Sequence, residues 1–179
     1  MFYYATNFNC DLSNWDVSNA TSFKDMFLYC LNFNSDLSNW DVSKCTDFSS
    51  MFSTCKKFNS DLSRWDVSNA YNLEHMFHDC ESFTSDLSNW DVSNCKNFSA
   101  MFLGCVEFNS DLSNWDVSNG KDFSYMFADC FNFKCDLSNW DLGTSYNLAC
   151  MFRPANLHIP DEMLPPAYID FINDLSDDF

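Results

Sequence analysis

Six aspartates, Asp11, Asp36, Asp61, Asp86, Asp111 and Asp136, recur at a spacing of 25 residues, each followed two residues later by a serine: Ser13, Ser38, Ser63, Ser88, Ser113 and Ser138. Carboxylates and hydroxyls in such files suit two kinds of chemistry. They can hold a hard cation such as calcium between successive repeats, since oxygen donors suit that ion. Alternatively, each carboxylate accepts hydrogen bonds from nearby amides and Ser hydroxyls, and the file is a polar face available to a ligand. Carboxylates one repeat apart repel unless amides, hydroxyls or a cation hold them. A second file, Asp16 to Asp141, has the residue type that caps a helix start, and is read as capping the arc that follows it.

The ten cysteines offer redox or metal chemistry, and their columns sort them. Cys30, Cys55, Cys80, Cys105 and Cys130 share one column, where Ala155 also fits, so small buried free thiols are expected there. Cys45 and Cys95 stand two repeats apart and cannot meet. Cys10 and Cys135 occupy one column in the first and last repeats, which makes them candidates for an intermolecular bond; the plainer reading is that each replaces a serine, as at Ser35, Ser60, Ser85 and Ser110. No CxxC or CxxH spacing is present, which argues against structural zinc. His75 and His78 lie three apart and His158 stands alone, with no recurring acidic or cysteine partner, so solvated surface is expected. No serine of the repeat has a base near it in sequence, so no catalytic residue is assigned and the chain is read as non-enzymatic. Asn19 and Asn97 each begin an Asn-x-Ser/Thr triplet, which makes them candidate glycosylation sites in a secreted chain.

What positions these groups is the repeat itself. Asp-Leu-Ser-Asn-Trp-Asp-Val-Ser begins at Asp11 and returns nearly unchanged five times. A fixed period of this size means units that cannot bury their apolar side alone and must stack. The columns from Phe8 to Phe133, from Leu12 to Leu137, from Val17 to Leu142 and from Met26-Phe27 to Met151-Phe152 form the expected core, with all six tryptophans in one further column from Trp15 to Trp140. Residues 8–14 alternate apolar and polar, which predicts a short strand and, on stacking, a parallel sheet. In residues 18–30, Phe23, Met26, Phe27 and Cys30 recur at threes and fours, which predicts a helical or 3₁₀ arc.

The expected fold is therefore a leucine-rich-repeat-like repeat solenoid, with a parallel β-sheet on one face and short helical or 3₁₀ arcs on the other. It would cover residues 1–152, with a C-terminal cap over 153–179. All four prolines fall in that tail, and Pro165-Pro166 can open a short helix that places Ile169, Ile172 and Leu175 on one side. The chain opens mid-turn at Met1-Phe2, which predicts an N-terminal end without a cap, and so either a longer parent protein or a stacking partner.

With 9 basic residues against 26 acidic ones the formal net charge is -17, which repels phosphate backbones and anionic membranes, so nucleic acid and membrane insertion are not expected. No apolar run is long enough to span a bilayer, and no signal peptide is visible.

The run Phe33-Asn-Ser-Asp-Leu-Ser-Asn-Trp-Asp-Val-Ser43, followed by Met51-Phe52 and a small residue, resembles the 25-residue units of BspA-type leucine-rich repeat surface proteins. The resemblance covers roughly residues 1–152. It implies a right-handed solenoid displayed outside the cell, extracellular or at the cell surface, that serves adhesion through a protein or glycan ligand, and it supplies no catalytic residues. The alternative role is a structural subunit that associates head to tail into a filament through its open ends, with Cys10 and Cys135 as the linking thiols.

Overall fold

The computed structural model describes residues 1–143, 145–153 and 159–177, without the side chains of 175–177. Each 25-residue unit is a closed circuit of tight four-residue turns, and successive circuits lie one on the next. In the unit that begins at Asp36, amide-to-carbonyl bonds join Trp40 to Leu37 (3.0 Å), Cys45 to Val42 (2.8 Å), Met51 to Phe48 (3.0 Å), Cys55 to Phe52 (2.8 Å) and Phe58 to Cys55 (2.9 Å). The first residue of each of these five turns, Leu37, Val42, Phe48, Phe52 and Cys55, is apolar or cysteine and buried, so each corner drives one side chain inward. Turn residues Ser50 and Thr54 have φ of 54° and 62°, the left-handed conformation that the third position of a type II turn demands. The same two columns are left-handed in every described unit, and Gly104 is the single glycine among them.

The expected parallel sheet and helical arcs do not form, and the leucine-rich-repeat class falls with them. Among the described residues the repeats contain no strand and no helix. Their only sheet-like pairing is a file of single-residue parallel bridges, Ser22 to Asp47 to Asn72 to Asn97 to Asp122 to Asn147. The reason is where the backbone amides go. Along the stretch that alternates like a strand, a side-chain oxygen stands between neighbouring backbones: the Asn34 amide donates to Asn9 Oδ1 at 2.8 Å, and the Leu37 amide donates to Ser60 Oγ at 2.8 Å. Along the stretch with helical spacing, alternate amides divide their work. Phe48, Ser50, Phe52 and Thr54 donate to Asn72, Glu74, Met76 and His78 of the next circuit at 2.6–3.0 Å, while Met51, Ser53 and Cys55 close their own turns. Two linked four-residue turns place apolar residues at the same threes and fours as a helix does, and that coincidence produced the helical expectation.

The interior is a continuous aromatic stack. Phe27 lies 4.0 Å from Phe33 within its circuit and 5.7 Å from Phe52 in the next, and Trp40 stacks on Trp65 at 6.5 Å with the rings nearly parallel. Five of the six indole N–H groups reach back to the preceding circuit: Trp40, Trp65, Trp90, Trp115 and Trp140 donate to the carbonyls of Leu12, Leu37, Leu62, Leu87 and Leu112 at 2.9–3.0 Å. Burying one Phe is worth roughly 1.5–3 kcal/mol, against about 1 kcal/mol net for a hydrogen bond. Packing therefore holds the circuits together, and the hydrogen bonds fix their register.

After the repeats, a 3₁₀ turn (Asp161–Met163) leads into α1 (Pro166–Asp177). This segment closes the last circuit. Tyr168 meets Phe152 edge-on at 5.0 Å, Leu164 and Tyr168 are buried, and the Leu137 amide, whose equivalents in earlier units donate to a serine or to Cys135 of the following circuit, donates instead to the Met163 carbonyl at 2.8 Å. Ile169 and Ile172 pack on the core. The Leu175 side chain, Pro154, Ala155 and the acidic tail residues Asp177 and Asp178 lie outside the described structure or side chains.

Ser85 accepts the Leu62 amide at 2.9 Å, and Cys135 does the same work for Leu112 at 3.2 Å. Replacing Ser85 by Ala should therefore cost about 1–3 kcal/mol by stranding a buried amide. Ser85→Cys should cost distinctly less, as measured by urea denaturation midpoints; equal losses would show that the serine column does not act through its oxygen.

Candidate functional site

The Asp11 file lies on the outside of the circuits, all six carboxylates exposed and their serines half-buried. Each aspartate makes a local ring: its Oδ1 accepts the amide of the serine two residues on, at 2.9–3.0 Å from Ser13, Ser38, Ser63, Ser88, Ser113 and Ser138. Asp111 also accepts the Ser113 hydroxyl at 2.7 Å. These bonds hold the Asp11, Asp36, Asp61, Asp86, Asp111 and Asp136 carboxyls below the ordinary range. For Asp36 the serine bonds outweigh repulsion from Asp61 and Asp11, so the file is stable as anions without a bridging ion. Among the described residues no three acidic, histidine or cysteine side chains converge as a metal site, so the geometry offers calcium no ready-made cage.

The Asp16 file works alike but does not cap an arc. Asp16, Asp41, Asp66, Asp91 and Asp116 each accept both the amide and the hydroxyl of the serine two residues on, the hydroxyl at 2.6–2.7 Å, and Asp141 accepts the Gly143 amide. A third file, missed in the sequence, does the same at the bridging column: Asp47, Asn72, Asn97, Asp122 and Asn147 accept the amides of residues 49, 74, 99, 124 and 149. Each circuit after the first thus has three carboxylate or carboxamide corners, and in the first Ser22 takes the third place by accepting the Lys24 amide, which is how a chain with three glycines turns so often.

Two shallow depressions lie on the Asp11 face. One, of about 450 Å³, runs between Asn34, Asp36, Asn59 and Asp61; the other, of about 440 Å³, is bounded by Asp111, Lys134, Cys135 and Asp136. The file is a periodic surface with a depression between Asp36 and Asp61 and another between Asp111 and Asp136.

Cys30, Cys55, Cys80, Cys105 and Cys130 are buried and free, and each thiol reaches back to the preceding circuit, at 2.8–3.1 Å from the carbonyls of Phe2, Phe27, Phe52, Phe77 and Phe102. Burial pushes the Cys30 thiol up and those of Cys55, Cys80, Cys105 and Cys130 well up; it takes Cys45 to about 11 and Cys95 to about 12. Cys135 is half-buried and pushed up to about 11, chiefly by burial. Cys10 is exposed in the first circuit.

His75 is near the surface, 5.4 Å from the His78 ring, and burial holds His78 below its ordinary range despite Asp79 at 3.5 Å. His158 lies outside the described residues. Of the two glycosylation candidates, Asn19 is exposed and accepts Lys44 Nζ at 2.8 Å, whereas Asn97 is half-buried in the bridging column, where it accepts the Ser99 amide at 3.0 Å.

A family model described as Mycoplasma protein of unknown function, DUF285, matches residues 1–87 and again 63–159. The chain belongs to that family. The two matches overlap from residue 63 to 87, one period of the repeat. The DUF285 description carries no leucine-rich-repeat or adhesion assignment, and the described repeats lack the sheet that a leucine-rich repeat requires. A search of curated proteins finds no match to the chain. Among the described residues no helix is long and apolar enough to cross a membrane.

Two outcomes follow from the thiols and carboxyls. A thiol reagent should label Cys10 rapidly in the folded protein and reach the five-membered ladder only on unfolding; fast labelling of that ladder would overturn its burial. Stability should peak between about pH 7 and 9 in thermal melts. Above pH 9 the unfolded chain releases thiol protons that folded Cys45 and Cys95 keep to about 11 and about 12, so stability falls as pH rises. Below 6.5 the unfolded chain protonates the counterpart of His78 first, and below 3.8 the lowered aspartates add a second decline as pH falls.

Proposed function

We propose that the chain is a non-enzymatic extracellular or cell-surface module that takes a protein or glycan ligand on the Asp11 and Ser13 face. The observation that carries this reading is the unbroken file of six exposed carboxylates, each ordered by the amide of its own serine. Because Oδ1 is already fixed locally, a ligand meets a preset row of anionic acceptors and loses little entropy in ordering them. The depressions between rungs give such a ligand lateral definition. A cationic peptide segment or a chain of sugar hydroxyls matches this chemistry. The resemblance of the units to those of surface proteins supports the same setting.

Head-to-tail assembly is the less favoured reading. At the C-terminal end the Leu137 amide and the Phe152 ring are already taken by Met163 and Tyr168, so a second copy would have to displace that cover.

The test is replacement of Asp36, Asp61 and Asp86 together by Asn. Asparagine keeps the Oδ1 acceptor, and with it the corner, while removing three charges. Pull-down of surface glycans and proteins should lose at least about tenfold in capture, as three charge-assisted contacts imply. Unchanged capture by a variant of unchanged melting temperature removes this face from the role.

A further inference from the structure

One column departs from the acidic surface. In the position before the bridging corner, the first two units carry Thr21 and Thr46, and the next four carry Tyr71, Lys96, Lys121 and Tyr146. Two of the nine basic side chains therefore fall on adjacent rungs, between two exposed aromatic rings. Tyr71 is 54% and Tyr146 77% exposed. Threonine occupies the same exposed place in earlier circuits, so the turn itself does not require a large aromatic side chain there.

Backbone hydrogen bonds tie the column together. The Lys96 amide donates to the Tyr71 carbonyl at 3.0 Å, Lys121 to Lys96 at 2.8 Å, and Tyr146 to Lys121 at 3.1 Å, so the four residues occupy four rungs whose three spacings add to about 14 Å. Lys96 Nζ sits 5.4 Å from the centre of the Tyr71 ring, a cation held at an aromatic face. Beside them is a depression of about 220 Å³ that Asn72, Asn97 and Asp122 complete. The acid in it is engaged: Asp122 accepts the Ser124 amide at 2.9 Å, the Ser124 hydroxyl at 2.6 Å and Asn147 Nδ2 at 3.0 Å.

We propose that Tyr71, Lys96, Lys121 and Tyr146 form a second binding site, for an acidic saccharide. The outer rings offer π faces, whose negative quadrupole attracts the C–H face of a sugar. The central ammonium groups attract its carboxylate, and the neighbouring carboxamides suit its hydroxyls. Aromatic and basic side chains also interleave in sites for single-stranded nucleic acid. Two lysines on a chain of net charge -17 are too few to hold a polyphosphate, whereas one carboxylate needs no more. The site shares no residue with the Asp11 face, and stands or falls apart from it.

Saturation-transfer NMR on the full chain, with sialyllactose and digalacturonate as acidic probes and with lactose and oligothymidylate as comparisons, tests the site. The acidic sugars should bind at least about tenfold more tightly than lactose, and the preference should weaken with added salt. K96A/K121A should abolish that preference, and Y71A/Y146A should weaken every sugar about tenfold. The Asp36, Asp61 and Asp86 to Asn variant should bind as the parent does, which separates this site from the one on the Asp11 face. These are surface positions, and unchanged melting temperatures would confirm that the variants fold. Absence of binding by either acidic sugar at millimolar concentration, equal binding by K96A/K121A, or tighter binding of oligothymidylate than of any sugar overturns the proposal.

Discussion

Every circuit of this molecule depends on a bond that spans the 25-residue register without a sheet. A coil of tight corners cannot offer its neighbour a straight backbone edge, so amides that face the next circuit must find other acceptors. Some find carbonyls directly, as at Phe52 and Met76; others find a side-chain oxygen placed there for the purpose, as at Leu37 and Ser60. Indole and thiol donors then return bonds in the opposite sense, from Trp40 to Leu12 and from Cys55 to Phe27. The tryptophan, serine and cysteine columns are polar connectors as well as packing pieces.

The corners explain the surface. The left-handed turn positions accept residues as different as Ala100, Tyr125 and Gly104, but a corner closed by a side chain needs one that can bond its own backbone, and aspartate and asparagine do this best. Three such corners per circuit lay down three polar files, and the acidity of the chain is largely a consequence of how it bends. The ligand-facing role proposed for the Asp11 file uses groups that the fold already requires. The Tyr71 column differs, because its four large residues stand where threonine is enough for the architecture. A departure from a repeat's own pattern, at an exposed position, is therefore a sharper pointer to recognition than the pattern itself.

The ends show the same logic by exception. At the register position that would offer Leu137 a serine the chain has Pro160, and it supplies instead a backbone carbonyl from Met163, while α1 lays Tyr168 across the last aromatic ring. Where a serine is replaced by Cys135, sulfur accepts the same amide at a longer distance. Both substitutions keep the count of satisfied amides, which is the quantity a buried stack cannot compromise.

By itself the sequence determined the unit length, the inward columns and the buried thiols, because identical letters at a constant period must occupy equivalent environments when units stack. It also placed the opening of α1 at the prolines. It could not determine the path between those columns. An alternation that suits a strand and a three-and-four spacing that suits a helix are equally produced by chained four-residue turns, and what separates them is whether each amide bonds within its own circuit, to the neighbouring backbone or to a neighbouring side chain. That choice concerns partners 23 to 28 residues away, so only the tertiary structure decided it. The Tyr71 column was legible down the 25-residue period, but its four members became one surface only when their amides were seen joined rung to rung.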